Sequence, residues 1–251
     1  MRKHTPAAWA WLSVGMLGLN LALPVTAWAG AFEGIAGWEG DVFEQGYGFV
    51  AIGFLSPSGP SSTVFLGRIT GSYLYYNYRD ASGGVHVQAP GAGLQLGVSK
   101  VGPSWAVALL GGGDLRWERR RVETAPEFGE AVAKGGATLQ GEAYFHIGAR
   151  IQPSLLVNYS GSARYTYGRA LTLWQLSNLH WTAPTAWFVG LEAIGQGNYE
   201  SDALQVGGVL TCSILRPQLS LSLRGGFKDA SDSETARRQG GYVGAGLYHR
   251  F

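Results

Sequence analysis

From Ala137 to Gln152 apolar or small residues alternate with polar ones at every step. One set reads Ala137, Leu139, Gly141, Ala143, Phe145, Ile147, Ala149 and Ile151. The other reads Thr138, Gln140, Glu142, Tyr144, His146, Gly148, Arg150 and Gln152. Successive side chains of a β-strand point to opposite faces, so a period of two gives one greasy face and one polar face. The pattern recurs from Trp105, where Trp105, Val107, Leu109, Leu115 and Trp117 oppose Asp114, Arg116, Glu118 and Arg120. It recurs again from Leu219, where Leu219, Leu221, Leu223 and Phe227 oppose Ser220, Ser222, Arg224 and Lys228. An amphipathic helix needs a period near 3.6 residues, which no segment after residue 29 supplies. The chain is predicted to be all-β.

Turn chemistry separates the alternating runs, at Ser56–Pro60, Asp80–Gly84, Val101–Ser104, Gln152–Ser154 and Arg216–Gln218. Longer polar loops are predicted at about 123–135 and 229–238. About twelve strands result, starting near Phe32, Gln45, Thr63, Val85, Trp105, Ala137, Ser154, Arg164, Thr185, Asp202, Gln218 and Gln239. Leu155 to Leu179 alternates poorly. An even count, with long loops expected outside the cell, suits an antiparallel transmembrane outer-membrane β-barrel. Many runs exceed nine residues, enough for a tilted strand to cross a bilayer. Closure would pair every backbone group that lipid leaves unsatisfied. Trp38, Tyr47, Trp105, Trp117, Trp174, Trp181, Trp187, Tyr199 and Tyr242 fall near strand ends and are expected to form interfacial girdles. The competing architecture is a soluble sandwich or lipocalin-like barrel, with the apolar face inside.

The first residues follow a different logic. Arg2, Lys3 and His4 precede an apolar run from Ala7 to Leu23, and Pro24 and Ala27-Trp28-Ala29 follow it. That order is a secretory signal, with cleavage expected after Ala29; the alternative is an uncleaved anchor. Residues 1–29 are assigned to the signal and 30–251 to the barrel. Of 19 Lys+Arg and 17 Asp+Glu, Arg2 and Lys3 leave with the signal, so the mature chain has 17 of each sign. This balance offers nothing to nucleic acid. Cys212, alone of its kind, shares a face with Leu204, Val206, Leu210 and Ile214 and reads as a buried or lipid-facing thiol.

If the greasy faces meet lipid, the lumen receives Glu33, Glu39, Arg68, Asp114, Arg116, Glu118, Arg120, Glu142, His146, Arg150, Glu192, Arg224, Lys228 and Arg250. Charges in a narrow barrel must be paired or hydrated. They form either a salt-bridged plug or a hydrated path lined by fixed charge. Catalysis finds little support. Barrel lipases resemble one another in pairing a His with a nearby Ser, and the phospholipase places the Ser two residues after the His. Here Gln88, Gly148 and Thr182 follow His86, His146 and His180 at that distance, and Phe251 follows His249. No activated nucleophile is offered, no histidine spacing suits a metal, and no cofactor is implied.

The last strand sets Val243, Ala245, Leu247, His249 and Phe251 on one face. Closing on a terminal Phe, with Leu247 on the same face, it resembles the signal read by the outer-membrane barrel-assembly machinery, with His249 standing where an aromatic is commoner. Gly37-Trp38-Glu39, Gly46-Tyr47-Gly48-Phe49, Phe65-Leu66-Gly67-Arg68, Gly71-Ser72-Tyr73, Tyr75-Tyr76-Asn77-Tyr78, Gly93-Leu94-Gln95-Leu96-Gly97, Gly190-Leu191-Glu192 and Gly197-Asn198-Tyr199 together resemble the BcsS-like outer-membrane proteins of cellulose biosynthesis. The resemblance implies a non-enzymatic role beside a cellulose synthase complex, in exopolysaccharide secretion or matrix assembly, with outer-membrane lipid and a polysaccharide as partners. It brings no catalytic residue. The tyrosines between Tyr73 and Tyr78 either stack on sugar rings or serve the girdle and packing. A small-solute channel and a lipid-acting barrel enzyme are the other readings.

Overall fold

A computed structural model of the chain describes residues 31–56, 63–80, 83–125, 127–148, 150–180, 184–198, 201–214, 218–232 and 237–251, with the side chains of 79, 80, 177–180, 184 and 232 excepted. The expected signal segment, Trp181 and Tyr199 lie outside the described residues. Among the described residues there are twelve strands: β1 Ala31–Asp41, β2 Gly46–Leu55, β3 Thr63–Asp80, β4 Gly83–Val101, β5 Trp105–Val122, β6 Val132–Phe145, β7 Ile151–Ser160, β8 Tyr165–His180, β9 Pro184–Gly197, β10 Ser201–Ile214, β11 Leu219–Asp232 and β12 Arg238–Arg250.

Each strand pairs antiparallel with its sequence neighbours, and β1 pairs with β12, so the sheet is a closed barrel. Closure removes both edges, which is the condition for strands to cross lipid. The start of β1 and the end of β12 lie at one end. The turns after β1, β3, β5, β7, β9 and β11 lie at the other.

The connections are shorter than predicted. Residues 123–131 join β5 to β6, because β6 begins at Val132 rather than near Ala137. β11 runs on through Asp229 to Asp232. A second correction concerns the alternation of 137–152, which spans two strands. β6 ends at Phe145, and Gly148 (φ +62°) and an Ile147–Ile151 bridge turn the chain into β7. The poor alternation of 155–179 reflects the tight 161–164 connection and a register shift between Gln175 and Ser177. The β1–β2 turn shows how sequence sets a reversal. Asp41 Oδ1 accepts from the amides of Phe43 (2.8 Å) and Gln45 (3.0 Å), and Glu44 takes a positive φ of 59°.

Register decides which face is which. Glu33, Gly53, Arg68, Gln95, Gly112, Thr138 and Ser160 are successive cross-strand partners around β1 to β7, and all point inward. The outward set on β5 is Trp105, Val107, Leu109, Gly111, Gly113, Leu115 and Trp117, without a charge; Arg119 and Arg121 follow. The other strands agree: outward charges appear only near strand ends, as at Lys100, Asp202 and Asp229. Twelve steps from Trp105 to Trp117, at ~3.3 Å each, span about 40 Å of strand. A tilt of about 40° reduces this to about 30 Å, an apolar band of ~25 Å with its aromatic borders. The fold is thus a transmembrane antiparallel barrel with its greasy face to lipid, and the soluble alternative has the faces reversed.

Candidate functional site

The lumen collects the charged side chains into clusters that bridge non-adjacent strands. In the first, Arg68 of β3 reaches Glu142 of β6 (3.1 Å) and Glu33 of β1 (3.5 Å), all three side chains being buried. Glu142 also accepts from the Tyr144 hydroxyl (3.2 Å) and from the Gln140 amide, which in turn accepts from Asn158 (3.0 Å). In the second, Arg224 of β11 pairs with Glu39 of β1 (2.8 Å) and lies 3.7 Å from Glu192 of β9. Arg169 of β8 pairs with the same Glu192 oxygen (2.7 Å), Tyr242 donates to its other oxygen (2.9 Å), and Gln205 donates to Glu39 (2.8 Å). Gly207 and Gly244 make this packing possible. A Cβ on Gly207 would overlap the Tyr242 hydroxyl, and one on Gly244 would lie 2.6 Å from Arg224 Nε.

Smaller groups lie toward the end opposite the termini. Lys228 pairs with Asp41 (2.5 Å), and Glu118 pairs with Arg120 (2.6 Å) and Lys134 (2.7 Å). Arg120 also donates to the Tyr78 hydroxyl (3.2 Å). Asp114 accepts from Ser160 (2.6 Å) and from the hydroxyl and amide of Ser162. Arg116, two positions along the same face, lies over the Tyr47 ring at 6.0 Å. Nearer the termini, Ile35, Ala51, Tyr144 and Tyr248 form a buried apolar cluster. It ties β6 to β1, β2 and β12, almost straight across the barrel.

Most predicted lumen residues therefore face inward, in five separate groups. Arg250 takes an inward position opposite Glu33. His146 follows β6, half-buried, and joins no charge cluster; its backbone amide donates to Ser104. Arg150 does not line the lumen: it is exposed in the β6–β7 turn, where the 137–152 alternation had carried it inward by extrapolation. The girdle loses two members. Tyr242 is buried in the second cluster, and Tyr47 shares the inward face with Glu39. Trp38, Trp105, Trp117, Trp174 and Trp187 do face outward. In the tyrosine run Tyr73 and Tyr75 face lipid, while Tyr76 and Tyr78 face the lumen with rings 6.1 Å apart. Leu247 and Phe251 face out; the Phe251 amide donates to Phe32 O (2.9 Å) and its ring meets His249 edge-on at 4.3 Å. Cys212 faces out beside Leu210 and Ile214.

Sequence reasoning missed Arg169, Tyr165, Tyr167, Gln205 and Asp41. The usable signal for Arg169 was its isolation as the lone charge in β8, with the same parity as Tyr165 and Tyr167. Outside the lumen, His86 Nδ1 lies 2.7 Å from Asn77 Oδ1 across β3 and β4. Gln88, not a hydroxyl residue, occupies the next outward position.

No curated protein matches the chain. Among solved structures it is similar to the β domain of the Bordetella autotransporter BrkA, at 12% identity and a TM-score of 0.53. The likeness covers 88% of this chain and 97% of that one, and is one of fold. The family comparison reaches further than fold. A model described as cellulose biosynthesis protein BcsS matches residues 27–251, from before β1 to just past β12, and the chain belongs to that family.

Proposed function

We propose that this chain is a non-enzymatic outer-membrane barrel that assists a cellulose synthase complex in secreting or assembling cellulose or a related exopolysaccharide. The observation that carries the reading is the family match along the entire barrel. The outward apolar band supports residence in lipid, and the expected export signal supports the outer membrane of a Gram-negative cell as its address. The outward Leu247 and the terminal Phe251 suit recognition by the barrel-assembly machinery. The next outward residue of β4 after His86 is Gln88 rather than a serine, so the His–Ser arrangement of barrel lipases has no counterpart on that strand.

Deleting the gene in a cellulose-forming host is expected to remove most matrix cellulose, measured after acid hydrolysis of the washed extracellular material. The wild-type chain and its His86→Ala variant should both restore it. Unchanged cellulose in the deletion strain overturns the reading, and rescue lost with His86→Ala, together with lipid hydrolysis, turns it toward an enzyme.

The cross-lumen contacts favour a scaffold over a solute channel. A solute would have to part the Ile35–Tyr144–Tyr248 cluster and two ion-paired networks. The purified protein in a planar bilayer is expected to give no steady current above the lipid blank; a steady open state would establish the channel reading instead.

A further inference from the structure

Beside the first charge cluster the lumen opens into a cavity of about 160 Å³. A cavity of about 150 Å³ is known to admit one six-membered ring, so this one is of the size for a single pyranose. Its charges balance: Arg68 and Arg116 face Asp114 and Glu142. Three of the four already have ionic or hydroxyl partners. Arg68 and Glu142 bond each other, and Asp114 is held by two serines. Arg116 differs. It is 6% exposed, and its Nε and Nη1 meet no hydrogen-bond partner.

A buried donor left idle costs roughly 1–3 kcal/mol, and more when charged. Arg116 lines the cavity with this capacity unmet, so a small shift of its guanidinium would offer donors to an acceptor from outside. The aromatic wall has the same character. Tyr47 faces the lumen, where no lipid calls for an aromatic, and keeps 40% of its surface accessible. Tyr165, from β8, lines the same space. An aromatic face, fixed donors and fixed acceptors with no net charge match a neutral polyhydroxylated ring. An anion would have to approach Asp114, two residues from Arg116 on one strand face, and Glu142.

We propose that this cavity binds one neutral sugar residue, with the Arg116 guanidinium donating to sugar oxygens, Asp114 accepting from a sugar hydroxyl, and Tyr47 covering a ring face. The proposal rests on the polysaccharide role above and names the chemistry recognised inside the barrel. The ligand is a neutral hexose unit, free or at the end of a β-linked chain.

Calorimetric titration of the full barrel in detergent micelles tests it, with cellobiose, glucose, glucose 6-phosphate and inorganic phosphate as separate probes. Cellobiose or glucose should bind saturably in the millimolar range or tighter. Arg116→Gln and Tyr47→Ala should each weaken binding about tenfold or more, and Tyr47→Phe should keep it. Glucose 6-phosphate should bind no tighter than glucose, and phosphate should not compete. The folded state of each variant is read from its heat-dependent gel mobility, and a variant that does not fold leaves the other two to decide. No saturable binding of either neutral sugar overturns the site. So does unchanged affinity in folded Arg116→Gln, or displacement of cellobiose by phosphate, which would mark an anion site. The gene-deletion result is separate: a barrel that binds no sugar while the deletion strain lacks cellulose loses this site alone.

Discussion

Glu192→Ala is expected to destabilise the barrel by about 3–5 kcal/mol, the loss typical of removing one partner from a buried ion pair. The Glu192 side chain is fully buried and carries more than one partner. Its Oε2 faces Arg169 at 2.7 Å and Arg224 at 3.7 Å, and its Oε1 accepts from Tyr242. Alanine leaves Arg169 without this carboxylate, strips Arg224 of one of two, and orphans a buried hydroxyl. Relaxation is hindered, because Gly207 and Gly244 already let Tyr242 and Arg224 pack as closely as backbone allows. Glu192→Gln keeps the shape and an acceptor and should lose less than Glu192→Ala. Leu191→Ala, on the lipid side of the adjacent position, should lose far less than either charge deletion in detergent. Urea unfolding of the refolded barrel, followed by tryptophan fluorescence, measures all three. A loss below about 1 kcal/mol for Glu192→Ala, the range of an exposed pair, would mean that water reaches this cluster freely.

The strands were readable because a membrane barrel writes its lipid contact into one parity. That signal fades wherever both faces meet water. Val132 to Gly136 carries no apolar contrast, so the first five residues of β6 read as loop; Asp229 to Asp232 hide the end of β11 in the same way. Contrast also fails where both faces are greasy. In β2 the outward Val50, Ile52 and Phe54 alternate with inward Phe49, Ala51 and Leu55, so parity could not say that Tyr47 points inward. Arg150 is the opposite error, since parity continued unbroken across a turn that the pattern cannot register.

Which charge meets which was not legible at all. Arg68 meets Glu142, and Gln205 meets Glu39, because the barrel's diameter and strand stagger bring distant strands within side-chain reach. Both follow from closure and shear rather than from any local run of residues. The candidate sugar cavity is illegible for the same reason: Arg116 and Tyr47 come from β5 and β2, and Tyr165 from β8. Each looked like a member of its own strand's pattern. Only closure makes them neighbours.

Leu96→Arg is expected to destabilise the barrel by about 2–4 kcal/mol in phospholipid vesicles, the cost of an arginine near the bilayer midplane. Leu96 points outward with 66% of its surface free and pairs with Gly111, midway between Trp105 and Trp117 on β5. Leu115→Arg makes the same chemical change two residues from Trp117, where its guanidinium can reach the headgroups, and should cost clearly less. The comparison is of depth rather than of residue type, because both leucines are outward and more than half exposed. If water surrounded this face, both arginines would be nearly neutral and the protein would gain solubility without detergent. Equal, small losses in vesicles would therefore remove the membrane assignment. A deep loss at 96 and a shallow one at 115 would fix the height of the apolar band on the β4–β5 wall. It would also leave the paired charges inside as the side of the sheet that lipid never touches.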